Sequence, residues 1–211
     1  VAERVPAARG VDCVLVAVDG VDGAGKTVFA DELAARLRSS GRAAIRVSVD
    51  DFHHPRAIRH RRGRDSLEGF WLDTYDYPAL RERVLIPLGR GGSPRFRRAS
   101  HDLVTDEYVR PPVEQAPPAA VVVVDGLFLH RDELIGCWDL SIFLRVPFPV
   151  SVARMAVRDG TAPDPGHPSV RRYVEGQQLY FAACVPWERA DLVVDNTDLA
   201  APELVRSGSG R

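Results

Sequence analysis

The stretch VAVDGVDGAGKTVFADELAARL, residues 16–37, decides the fold. An apolar run stops at a cluster of small residues, and a helical pattern resumes in which Phe29, Leu33 and Leu37 recur every four positions beside Ala30 and Ala34. Within it, Gly20-Val21-Asp22-Gly23-Ala24-Gly25-Lys26-Thr27 fits G-x-x-x-x-G-K-[ST] between an expected strand and an expected helix, the context in which that spacing has a mechanism. Glycines let successive N–H groups turn into one concavity at the positive end of the helix, and phosphate oxygens fill it. Lys26 is expected to reach the β and γ phosphates of a nucleotide, and the Thr27 hydroxyl to coordinate Mg²⁺. The expected nucleotide contacts are Gly20, Asp22, Gly23, Ala24, Gly25, Lys26, Thr27 and Val28. The alternative is a glycine-rich turn that only happens to precede a helix.

Outward from this loop, β-branched runs recur at 13–18, 44–49, 120–126, 140–146 and 191–195. Val121 to Val124 are apolar on both alternating faces, as suits a strand covered on both sides. Helical patterns at 78–89, 148–159 and 168–189 lie between them, and Gly41 supplies a stop for the first helix. Alternation of this kind predicts an α/β fold: a doubly wound, five-stranded parallel sheet of the P-loop NTPase type in one domain over 1–206, with a tail at 207–211 expected to be disordered. Three segments interrupt it: an Arg/His/aromatic insert at 53–76, a hairpin at about 93–110, and a helical lid at about 154–172. Insertions of this length in α/β folds usually carry function.

Composition narrows the ligand. With 28 basic against 29 acidic residues, no broad field points to nucleic acid or a membrane surface. Cys13, Cys137 and Cys184 are odd in number and unpaired in spacing, which argues against a disulfide framework and a zinc site. No apolar run approaches the roughly 20 residues of a membrane span, and the first residues lack the apolar core of a signal peptide, so a soluble cytoplasmic protein is expected. The N-K-x-D pattern that reads guanine in GTPases is absent.

Ligands of open α/β sheets sit beyond the carboxyl ends of strands, which singles out Asp50, with Asp51 ranked below it, and Asp125. An ionised Asp there can hold Mg²⁺ or take a proton from an attacking hydroxyl. It can also merely cap the next helix. Arg154 and Arg158, spaced i, i+4, lie on one helical face before the Gly/Pro-rich DGTAPDPGHPS (159–169), so they suit a clamp on a transferring phosphoryl group or, more plainly, a solvated basic face.

With GVDGAGKT, VSVDDFH (47–53), TYDYPAL (74–80), VVVVDGLFL (121–129), VARMAVRDG (152–160) and PWERADLVVDN (186–196) in that order, the chain resembles the uridine kinase family from about residue 14 to 197. The resemblance implies an ATP- and Mg²⁺-dependent phosphotransferase acting on an alcohol group, with the 5′-hydroxyl of uridine or cytidine as the first acceptor to try. Pantothenate, a riboside or a sugar phosphate are alternatives, as is a nucleotide-binding regulator without transfer. It implies that Asp50 takes the acceptor proton near the metal, that Asp125 replaces a Glu of the metal shell, and that Arg154 and Arg158 close over the phosphates, with Arg158 also touching substrate. His53, Tyr75 and Asp76 fall at acceptor positions, Asp76 holding sugar hydroxyls. In HDLVTDEY, His101 and Asp106 stand where the family has its pyrimidine-gripping Tyr and His, a departure that leaves the basic insert around Arg59, His60, Arg61, Arg62, Arg64, Phe70 and Trp71 to select an anionic acceptor or to act as a solvated loop with core-anchoring aromatics. Self-association is also implied.

Overall fold

The computed structural model describes residues 1–207. Strands β1 (Val14–Gly20), β2 (Ala44–Ser48), β3 (Val121–Gly126), β4 (Leu140–Arg145), β5 (Leu192–Asp195) and β6 (Glu203–Ser207) form one sheet in the order β6-β5-β4-β1-β3-β2. The first five are parallel and correspond to the five expected runs. β6 corrects the expectation of a purely parallel sheet, because it adds an antiparallel edge to β5 with a register shift between Leu204 and Arg206. Leu204 and Val205 are exposed, so the run lacks the apolar continuity that marks a buried strand. Of the expected disordered tail, Ser207 closes β6 and the remainder lies outside the described residues.

β1 and β3 are buried along their whole length and supply both faces of the core. Leu15, Ala17, Val122 and Val124 pack to one side, and Val14, Val16, Val18, Val121 and Val123 to the other. The helices are α1 (Lys26–Ser39), α2 (Leu67–Asp73), α3 over 77–88 with one wide turn at Arg81–Leu85, α4 (Phe148–Asp159) and α5 (Pro168–Cys184). α1 buries Ala30, Leu33, Ala34 and Leu37 on the second face, as its period predicts. It stops at Gly41, whose φ of +83° lets Gly41 N–H reach the Arg38 carbonyl and Arg42 N–H the Leu37 carbonyl, each at 3.0 Å. α3 and α5 cover the first face through Leu80, Val84, Leu88, Tyr180 and Cys184.

Three boundaries differ from expectation. The second strand ends at Ser48, and Val49–Phe52 forms a tight turn in which the Ser48 hydroxyl accepts the Asp50 N–H at 3.3 Å. The long last helix ends at Cys184, since Pro186 cannot extend it and Val185 sits at φ 41° before a separate turn, Pro186–Arg189. The hairpin is confined to 101–108, where His101–Asp102 pairs with Glu107–Tyr108, while Arg95–Phe96 pairs instead with Glu114–Gln115. Cys13 and Cys184 are buried, Cys137 is partly so, and all three are free thiols. No helix among the described residues is long and apolar enough to cross a membrane.

Candidate active site

Register builds the site from the sheet outward. Asp125 lies opposite Val18 of β1 and Ser48 of β2, so the loop leaving β1 and the turn leaving β2 emerge on either side of it. In that loop Gly23 takes φ 75°, and a Cβ there would stand 2.3 Å from the Ser151 carbonyl of α4. α1 opens at Gly25 with no side chain capping its first N–H groups. Such orphan donors, at the positive end of a helix, fit a phosphate group. Lys26 Nζ donates across the loop to the Val21 carbonyl at 2.9 Å. The loop is braced from outside: Gln177 Oε1 accepts the Asp22 N–H at 2.6 Å, and Asn196 Nδ2 donates to the Ala24 carbonyl at 2.7 Å.

The lid arginines meet this loop. Arg154 donates to the carbonyls of Gly23 (3.4 Å), Asn196 (3.0 Å) and Thr197 (2.7 Å). Arg158 pairs with Asp159 at 2.7 Å and reaches Asp22 at 3.4 Å.

Thr27 Oγ1 donates to Asp125 Oδ2 at 3.0 Å, while Arg46 Nη2 holds Asp125 Oδ1 at 2.6 Å and also pairs with Asp31. Hydroxyl and carboxylate oxygens are the donors Mg²⁺ prefers. Among the described residues no three His, Cys, Asp or Glu side chains cluster to hold a metal ion. Asp51 is near this group, its carboxyl raised by burial and by Asp50 and Asp125 against the pull of Arg98.

On the acceptor side, Asp50 receives the Tyr75 hydroxyl on Oδ1 at 2.9 Å, and Oδ2 has no partner among the described residues. Burial and the Asp50 charge push Tyr75 well above its ordinary value, so the phenol stays a donor. His53 Nδ1 donates to the Asp50 carbonyl at 2.7 Å and its ring rests 4.5 Å from that of Tyr75. Asp76 caps α3, its Oδ1 accepting the Ala79 N–H at 2.9 Å, with His54 at 3.9 Å from Oδ2. Asp106, at φ 61°, accepts the Arg56 N–H at 3.0 Å and lies 3.4 Å from Arg59 and 3.3 Å from the buried His101. Burial works against its ionisation, yet the Arg56 N–H and the Arg56, His101 and Arg59 charges hold its carboxyl below the usual range. His53, Tyr75 and Asp50 are therefore one constellation, and Asp106 with His101 another, tied to the insert.

The sequence model of the phosphoribulokinase / uridine kinase family matches residues 15–196. The chain belongs to that family. A uridine kinase of Leuconostoc citreum is 26% identical over 158 residues, covering 71% of this chain and 70% of its own. One from Aeromonas salmonicida is 28% identical over 160 residues, covering 70% and 68%. The structure of a possible uridine kinase from Bacillus stearothermophilus superposes with a TM-score of 0.71 over 91% of this chain and 94% of that one, at 21% identity, a likeness of fold.

Several residues of this family member escaped sequence reasoning. Asp19 is fully buried below the phosphate loop and accepts N–H groups from Gly20 (2.7 Å), Phe128 (3.1 Å) and Leu129 (3.0 Å), the Tyr180 hydroxyl, and His130 Nδ1 at 2.8 Å. An acidic residue at the end of an apolar strand was its signal, the same one that marked Asp125. Arg46 was legible too, as a charge inside the apolar AIRVSV. Gln177 and Asn196 carried no local signal, because their partners lie 155 and 172 positions away.

Proposed function

We propose that this protein transfers the γ-phosphoryl group of ATP to an alcohol hydroxyl of a small metabolite. The observation that carries the reading is Asp50: one oxygen is fixed by Tyr75, the other has no partner among the described residues, and the residue follows two positions after Ser48, which lies opposite the Thr27-bonded Asp125. Asp50 takes the acceptor's proton as the new O–P bond forms, and the bond from the γ-phosphorus to its bridging oxygen breaks, releasing ADP. The first N–H groups of α1 and Lys26 bind the phosphates. Arg154 and Arg158, on a lid formed by α4 and the segment up to α5, exchange their present carbonyl and carboxylate partners for phosphate oxygens. Thr27, Asp125 and Asp50 would hold Mg²⁺, Asp125 through Thr27 or water while Arg46 occupies its other oxygen. The ion would supply charge neutralisation on the phosphates.

The relatives named uridine kinase make uridine and cytidine the first acceptors to try. The test is ADP release across nucleosides, pantothenate and sugar phosphates. At least one acceptor is expected to raise turnover far above the acceptor-free rate. ATP binding with no stimulation by any acceptor overturns the proposal in favour of a nucleotide-binding regulator.

A further inference from the structure

Gln177 is buried midway along α5, and both ends of its amide are in use. Oε1 accepts the Asp22 N–H at 2.6 Å, and Nε2 donates to the Tyr173 carbonyl one turn back at 2.7 Å, which holds the amide in one orientation. Its neighbour Gly176 lets α5 press on α2, since a Cβ there would stand 2.7 Å from Cδ1 of Phe70 and 3.1 Å from the Leu67 carbonyl oxygen. One turn on, the Tyr180 ring lies 5.1 Å from that of Trp71, and its hydroxyl donates to Asp19, which accepts the Gly20 N–H at 2.7 Å. α5 therefore grips the phosphate loop on either side of Val21.

The grip fixes a peptide plane. In a planar trans peptide the N–H and C=O groups point to opposite sides, so holding the Asp22 N–H on α5 turns the Val21 carbonyl away from that helix. That carbonyl receives Lys26 Nζ at 2.9 Å and the Ala24 N–H at 3.0 Å. A lysine side chain is long and has many rotamers, so the direction of the carbonyl that holds it decides where its charge sits.

We infer that Gln177 is a positioning residue for Lys26: through the Val21–Asp22 peptide it aims the carbonyl that carries the ammonium. This rests on the kinase reading above, in which Lys26 meets the phosphates, and it assigns a part in that task to a side chain 155 positions from Asp22. Without Gln177 the Asp22 N–H is unmet, the peptide is free to turn, and its carbonyl no longer directs Lys26.

The test is a double-mutant cycle on the full chain, read as ADP affinity by titration calorimetry. Gln177→Leu removes the acceptor at similar bulk and should weaken ADP binding about ten-fold. Lys26→Met should weaken it further. In the double variant the loss should match that of Lys26→Met alone within about two-fold, because a peptide that aims Lys26 has nothing to aim once the lysine is gone. Additive losses overturn the inference, as does parental affinity in either single variant. Val174→Ala, which opens a gap elsewhere on α5, is the structural control: it should lower the urea midpoint and leave ADP affinity within about two-fold of the parent. A loss of ADP affinity equal to that of Gln177→Leu would reduce Gln177 to a packing role and overturn the inference. Where Gln177→Leu does not fold, Gln177→Asn, which draws the amide back by one methylene, takes its place in the cycle with the same expected outcomes. ADP binding needs no acceptor, so absence of turnover with every acceptor overturns the kinase reading and leaves a non-additive cycle standing. Turnover together with an additive cycle keeps the kinase and overturns the role of Gln177.

Discussion

Between Gly20 and Thr27 the proposed phosphate-binding groups are backbone N–H groups and one lysine within a single loop, whereas the proposed acceptor side gathers Asp50, Tyr75, Arg59 and Asp106 from three separate segments. The first arrangement is set by conformation: glycines bend the loop, and α1 aims its uncapped end at the bend. The second is set by hydrogen bonds, ion pairs and ring contacts between a turn, an insert and a hairpin. A site whose donor half is local and whose acceptor half is long-range can keep its chemistry while changing what it phosphorylates.

Arg46 pairs with Asp31 and Asp125 beside the donor half, and its removal is expected to have the largest effect on stability. Arg46→Met leaves the nearly buried Asp125 with Thr27 alone, beside Asp31 and Asp51, at a cost of about 3 kcal/mol in urea unfolding. Mg²⁺ should restore more stability to the variant than to the parent. Equal stabilisation of both would show that cation and arginine do not share Asp125. On the acceptor half the expected effect is smaller and falls on rate: Tyr75→Phe removes one hydrogen bond from Asp50 and should lower kcat about ten-fold, with nucleotide affinity unchanged. A matching loss of nucleotide affinity would mean that the two halves are not separable.

The smallest expected effect is a pH dependence centred on the acceptor half. Burial, above all, lowers His53 and His54 from the ordinary 6.5, so the unfolded chain binds protons at a pH where the folded one does not. Their contribution is intact above about pH 6.5 and is lost as the pH falls toward the lowered folded values. Urea midpoints at pH 7.5 and 5.5 should therefore diverge less in a His53→Asn/His54→Asn variant than in the parent. An undiminished difference would place the titration elsewhere.

The same contrast explains what could be read from residue order. The five parallel strands and α1 were legible because their signals are continuous apolar runs and a four-residue period. β6 was not, since an exposed antiparallel edge has neither. Lys26, Thr27 and Asp125 were singled out by motif and strand end, and the structure joins the last two by a hydrogen bond. Asp76, read as a sugar ligand, also caps α3 through Oδ1, a second role to which its motif did not point, and Phe70 and Trp71, open between acceptor contact and core anchor, pack on Phe128 and Tyr180. Asp106 meets Arg56 across 50 positions, a pairing to which no local pattern points.

Asp50 joins the two halves, and Asp50→Asn tests that union most directly. It keeps the size of the side chain and a contact for Tyr75 while removing the base. With the best acceptor from the panel, kcat should fall about 10²- to 10⁴-fold while the dissociation constant for ADP stays within about two-fold. Full turnover in Asp50→Asn would contradict the account.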